Sequence, residues 1–113
     1  MEVLYRDSKI GKLVTSLPHA KRKLSEQTAV KLFKLINLIK SADNWSDVIV
    51  LPRYRFHKLE GKLEGLYSLD IAGVRCSYRL IVSFDDQYSN TDIFQHPQNI
   101  EIVRIEEVSN HYE

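Results

Sequence analysis

The sequence predicts an α+β domain in which N-terminal helices pack on a small antiparallel β-sheet. Three observations carry this. Apolar residues recur at three-and-four spacing through the first forty positions, the spacing of one helix face. After Pro52 the period drops to two, the spacing of one strand face. The chain has 113 residues, enough for one domain and too few for two. The domain is expected over residues 1–113, with a helical part at about 8–50, a sheet part at about 53–106 and a short C-terminal tail.

Met1 to Arg6 fits either a short strand or the start of a helix. Ile10, Leu13, Val14 and Leu17 give Ser8–Ser16 one apolar face, and Pro18 interrupts it because proline lacks an N–H. From His19 to Ser41 a wide apolar face alternates with lysines, which predicts one long helix ending at Ser41-Ala42-Asp43-Asn44. Trp45 to Val50 reads as a helical turn.

Tyr54 and Phe56 then alternate with Arg53, Arg55 and His57. Gly61 and Gly65 mark a charged turn, and Leu66–Ala72 alternates again. Arg75–Phe84 predicts a strand with Tyr78, Leu80, Val82 and Phe84 on one face and Arg79, Ile81 and Ser83 on the other. Asp85–Gln98 reads as a long polar hairpin loop, and a final strand follows from Ile100 to Ile105.

Composition excludes several classes. A 43% hydrophobic and 27% charged content is that of a globular chain. The single cysteine, Cys76, forms neither an internal disulfide nor a thiolate zinc site, and suits a small buried thiol. No glycine pattern cradles phosphates, and the four histidines lack metal-ligand spacing, so no cofactor and no metal are expected. No apolar run is long enough to span a membrane and the first residues lack signal-peptide order, so a cytoplasmic protein is expected. The net charge of +1 conceals a split. Residues 1–40 carry nine Lys/Arg against three Asp/Glu, whereas 85–113 carry one against seven. Such asymmetry marks a nucleic-acid face or a charged partner, unless the two segments neutralise each other.

Chemistry-bearing residues gather in the sheet half. His57 and Lys58 follow Arg53 and Arg55, Lys62 lies in the next turn, and the four-residue spacing of Arg75 and Arg79 puts both on one strand face. His111 and Tyr112 close the chain. Paired strands would collect imidazoles, a phenol and cations on one surface. Cleavage of RNA through its 2′-OH needs such a set: a base for the 2′-OH proton, an acid for the leaving 5′-oxygen, and cations for the phosphate. Each residue alone has a plainer reading, since a strand histidine or arginine is more often hydrogen-bonded or salt-bridged at the surface.

The run Phe56-His57-Lys58-Leu59-Glu60-Gly61-Lys62-Leu63-Glu64-Gly65-Leu66-Tyr67-Ser68-Leu69, followed by Tyr78-Arg79-Leu80-Ile81-Val82-Ser83-Phe84, resembles the HigB branch of the RelE/ParE toxin superfamily. The resemblance covers roughly residues 20–112. It implies a type II toxin: a ribosome-dependent endoribonuclease that cuts mRNA in the decoding site. It implies three further partners or conditions: a HigA-like helix-turn-helix antitoxin, operator DNA met only through that antitoxin, and no membrane. By position, it implies that His57, Arg79, His111 and Tyr112 are catalytic, with Arg79 at the scissile phosphate. Lys58, Lys62 and Arg75 would bind RNA phosphate, and Lys21, Arg22, Lys23, Lys31 and Lys34 would add salt-sensitive attraction to ribosomal RNA. Three departures from the family pattern are the extra residues around Arg75-Cys76-Ser77, the long 86–98 loop, and the terminal order Asn110-His111-Tyr112-Glu113. The same fold also accommodates a ParE-like gyrase poison, which does not need the His/Tyr/Arg set, and a non-catalytic antitoxin-binding relative.

Overall fold

Among the described residues, four of the five α-helices begin where a short polar side chain accepts an unpaired N–H of the first turn. In the computed structural model, which describes residues 1–110, Asp7 caps α1 (Ser8–Thr15), its Oδ1 accepting the Ile10 N–H at 2.9 Å. That bond holds the Asp7 carboxyl below its ordinary pKa. Ser16 caps α2 (Leu17–Lys23), with Pro18 in the first turn, where its missing N–H costs nothing. Ser25 caps α3 (Glu26–Ser41), Oγ accepting the Thr28 N–H at 3.1 Å.

The single helix expected over His19–Ser41 is therefore two. The chain is extended at Leu24, and Ser25 restarts it. The break lets both apolar faces turn inward, so that Ala20, Leu24, Ala29 and Leu32 are all buried. α4 (Ser46–Ile49) is the expected turn after Trp45.

Five strands form one sheet: β1 (Glu2–Tyr5), β2 (His57–Lys58), β3 (Tyr67–Asp70), β4 (Arg79–Ser83) and β5 (Ile102–Ser109). Their order is β1-β5-β4-β3-β2. The pairs β2–β3, β3–β4 and β4–β5 are antiparallel, as expected. β1 pairs parallel with β5, so the sheet is mixed rather than antiparallel, and a strand precedes the helices. The 85–98 segment is not a plain loop. It contains α5 (Asn90–Gln95), closed by a reciprocal capping box in which Ser89 Oγ accepts the Asp92 N–H and the Asp92 carboxylate accepts the Ser89 N–H. These bonds hold Asp92 below its ordinary pKa. β4 starts at Arg79 rather than Arg75, and β5 runs to Ser109, past the expected end of the sheet.

The helices cover one sheet face. Ile10, Val14, Leu32, Leu35, Ile36 and Ile39 pack against Leu69, Leu80, Val82, Val103 and Ile105. Trp45 is fully buried and meets Phe56 and Phe84 edge-on, with ring centroids 5.2 and 5.1 Å apart. Tyr67 stacks on Phe56 and donates its hydroxyl to Asn90, joining α5 to the sheet; burial pushes its phenol pKa up. Alternation sends Ser68, Asp70, Arg79, Ile81, Ser83, Arg104 and Ser109 to the other face.

Candidate active site

Two hairpins build the candidate site on the face opposite the helices. Register places Asp70 directly across from Arg79, Ser68 across from both His57 and Ile81, and Ser109 across from Arg79 on the far side. Directly opposed residues share a face. One surface thus carries His57, Ser68, Asp70, Arg79 and Ser109 over four neighbouring strands.

Asp70 is the centre of the charge. It is 1% exposed and meets two guanidiniums. Arg55 grips it with two bonds, Nε to Oδ2 and Nη2 to Oδ1, both 3.2 Å. Arg79 approaches from β4 with Nε 3.0 Å from Oδ1. That contact is an ion pair without hydrogen-bond alignment, since Arg79 Nε–H has no acceptor in line. Arg79 Nη1 instead donates to the carbonyls of Tyr78, at 3.0 Å, and Cys76. The backbone makes this possible because Arg55 adopts a left-handed conformation, φ 45°, just after the 3-10 turn Pro52–Tyr54. That conformation is uncommon for a residue with a Cβ.

The consequence is an unequal pair of arginines. The side chain of Arg79 is 9% exposed and that of Arg55 is 49% exposed. One carboxylate offsets one of the two cations. The surplus positive charge therefore meets solvent through Arg55. Strand alternation identifies the face on which Arg79 sits, and the structure adds that it is buried there and paired.

His57 stands beside this trio. Its Nδ1 lies 2.8 Å from the Arg55 carbonyl oxygen. A carbonyl can only accept, so Nδ1 carries the proton and Nε2 is the basic nitrogen of the neutral ring. One residue, Arg55, thus orients the imidazole with its backbone and the carboxylate with its side chain. Ser68 Oγ, fully buried between them, has no hydrogen-bond partner among the described residues.

The other expected residues are less closely placed. Lys58 is exposed, with Nζ 3.8 Å from Glu60. Lys62 is exposed on the 3-10 turn Gly61–Leu63, outside any strand. Arg75 lies exposed in the β3–β4 turn, so the four-residue spacing to Arg79 does not put both on one strand face. The turn at Gly73 (φ +83°) extends into irregular backbone through Tyr78, so the strand begins only at Arg79. Cys76 is half-buried, its sulfur 3.8 Å from Thr28 Oγ1 on α3. His111 and Tyr112 lie outside the described residues. Sequence reasoning missed the central role of Asp70 and the distinct one of Arg55. Asp70 is the only acid between Tyr67 and Phe84, which is the signal that could have found it.

Along the same face the charge reverses. Towards Ser83 a cavity of about 650 Å³ opens among Glu64, Asp85, Asp86, Glu101 and Glu106, with Arg104 as its one cation. Ser83 Oγ donates to Glu106 at 2.6 Å. The sheet face carries Arg55 and Arg79 at one end, with Asp70 and Glu107 among them, and is acidic at the Ser83 end.

The family model for the RelE-like toxin of the type II toxin–antitoxin system HigB matches residues 9–98. The chain belongs to this HigB-like toxin family. The match contains His57, Asp70 and Arg79 together with Arg53, Arg55, Lys58, Lys62 and Arg75, and it stops before β5. As a type II toxin the chain has an antitoxin partner. A search of curated proteins returns no match. No helix among the described residues is long and apolar enough to cross a membrane.

Proposed function

We propose that this HigB-like toxin is a ribosome-dependent mRNA endoribonuclease, neutralised by a HigA-like antitoxin. The observation that carries the reading is the joint dependence of His57 and Asp70 on Arg55. It sets a histidine with a defined basic nitrogen beside a surplus guanidinium charge. RelE-like toxins are typically endoribonucleases, which supports the same reading.

The chemistry follows from these groups. His57 Nε2 takes the proton of the 2′-OH, or donates one to the leaving 5′-oxygen. The 2′-oxygen attacks phosphorus, the bond to the 5′-oxygen breaks, and the products are a 2′,3′-cyclic phosphate and a 5′-OH. Arg55 meets the phosphate from solvent, while Arg79 raises the local positive potential from below. The second proton-transfer group is His111, with Tyr112 to stack on a base or position the 2′-OH. Lys58, Lys62 and Arg75 add phosphate affinity around the site. The acidic Ser83 end repels the RNA backbone and so biases the strand towards Arg55.

The test is cleavage of mRNA on programmed ribosomes, with 5′ ends mapped by primer extension. Wild-type protein should cut in the decoding site and leave free RNA intact, and His57→Gln and Arg55→Gln should cut at least ~100-fold more slowly. No cleavage by folded wild-type protein overturns the assignment, and a DNA supercoiling assay then examines the gyrase alternative.

A further inference from the structure

A second concave surface carries positive charge that nothing in the fold offsets. It lies between α3 and the 3-10 turn that leads into β2. Lys31 and Lys34 stand on α3, Arg53 and Tyr54 belong to the turn, and residues 71–73 close a cavity of about 400 Å³. No carboxylate lines it. The Arg53 guanidinium sits over the Tyr54 ring, 5.0 Å from its centroid.

These three cations differ from several others on the surface. Lys21, Lys58 and Arg104 each have a carboxylate within 4.0 Å. Among the described residues, Lys31, Lys34 and Arg53 take part in no ion pair. Three like charges converging on one concave wall repel each other and concentrate a positive potential there, which a polyanion relieves. The Arg53 guanidinium, held over the half-buried Tyr54 ring, keeps its charge on this wall, where a phosphate backbone meets it. Arg55 follows Arg53 by two residues, so their Cα atoms lie within about 7 Å.

We propose that this groove binds the phosphodiester backbone of RNA, through Lys31, Lys34 and Arg53. The backbone comes from the message beside its scissile phosphate or from ribosomal RNA. The proposal rests on the nuclease reading for the role of the strand, and its test reads binding alone so that the two can fail separately.

The probe is a single-stranded 2′-O-methyl RNA oligomer, which has no free 2′-OH to attack and is therefore not cut. Its affinity is measured by fluorescence anisotropy from 50 to 200 mM salt, for wild-type protein and Lys31→Gln/Lys34→Gln/Arg53→Gln. Three lost contacts at about 0.7 each should flatten the slope of log affinity against log salt by about 2. Over that fourfold salt range the wild type should lose about 18-fold more affinity than the variant. A parallel arm uses ribosomes without message, and a change confined to that arm assigns the groove to ribosomal RNA. All three residues are exposed, so the variant should unfold at the wild-type temperature; should it not, each single variant should flatten the slope by about 0.7. Equal slopes in both arms overturn the proposal. So does a variant that keeps both RNA slopes but loses its antitoxin, which would make an acidic protein segment the occupant. Protein that binds in both arms yet cuts no message leaves the groove standing and removes the nuclease reading.

Discussion

Replacing Asp70 with asparagine keeps the shape of the side chain and removes the one negative charge between two guanidiniums. The cost falls unequally on its partners. Arg55 is half-exposed and can turn to water, so its share is that of a surface pair, about 0–1 kcal/mol. Arg79 is 9% exposed and keeps only the carbonyls of Tyr78 and Cys76. Stranding a buried charge costs about 3–5 kcal/mol, and those two carbonyls argue for the lower end, about 3 kcal/mol. Unfolding entropy near 60 °C is about 2.1 cal/mol/K per residue, or about 240 cal/mol/K for this chain. Thermal unfolding followed by calorimetry should therefore drop by about 13 °C in Asp70→Asn. Arg55→Gln should lose less than about 4 °C by the same conversion. Adding Arg79→Met to Asp70→Asn should recover most of the loss, because the stranded charge goes with it. A drop of under about 2 °C in Asp70→Asn, or an equal drop in Arg55→Gln, would show that Asp70 is not what holds Arg79.

Three further outcomes follow from the geometry. His57→Gln should abolish cleavage while leaving thermal unfolding within about 2 °C of wild type, since the ring is only half-buried and changes at such sites cost about 0.5 kcal/mol or less. Trp45→Ala should destabilise by about 3–5 kcal/mol in urea unfolding, because the indole is fully enclosed and two aromatic edges lose their partner. Acid should loosen α5 first: the Asp92 carboxyl is held below its ordinary value in the folded state, so its contribution is present above about pH 4 and is lost as pH falls through the folded value. Amide exchange over Asn90–Gln95 should then accelerate on acidification relative to an Asp92→Asn reference, and identical pH profiles would refute the capping account.

What the sequence makes legible is local. The three N-terminal caps are short polar residues, and the alternation in β4 correctly separates Leu80 and Val82 from Arg79 and Ile81. The break at Leu24-Ser25 was missed because apolar periodicity continues across it, although Ser25 has the side chain of a helix start. α5 was missed because Ser89 and Asp92 lie in a polar stretch, where the capping spacing is easily outweighed by low hydrophobicity. The parallel pairing of β1 with β5 leaves no local trace at all, since register between distant segments is set by packing. The candidate site divides the same way. His57 and Arg79 are visible as residue types on strands. The burial of Arg79 depends on what covers the strand, and the grip of Arg55 depends on one left-handed backbone angle.

The position of β5 also bears on when the molecule becomes whole. Among the described strands it is synthesised after the other four, yet it lies inside the sheet, between β1 and β4. Tyr5 waits about 97 residues for Ile102, its partner's strand. At ~5–20 residues per second that interval is about 5–20 s. Until β5 has emerged from the exit tunnel, β1 has no neighbour and the Arg79 strand has an open edge. A nascent chain therefore cannot complete the sheet face that carries the candidate site until β5 has been made.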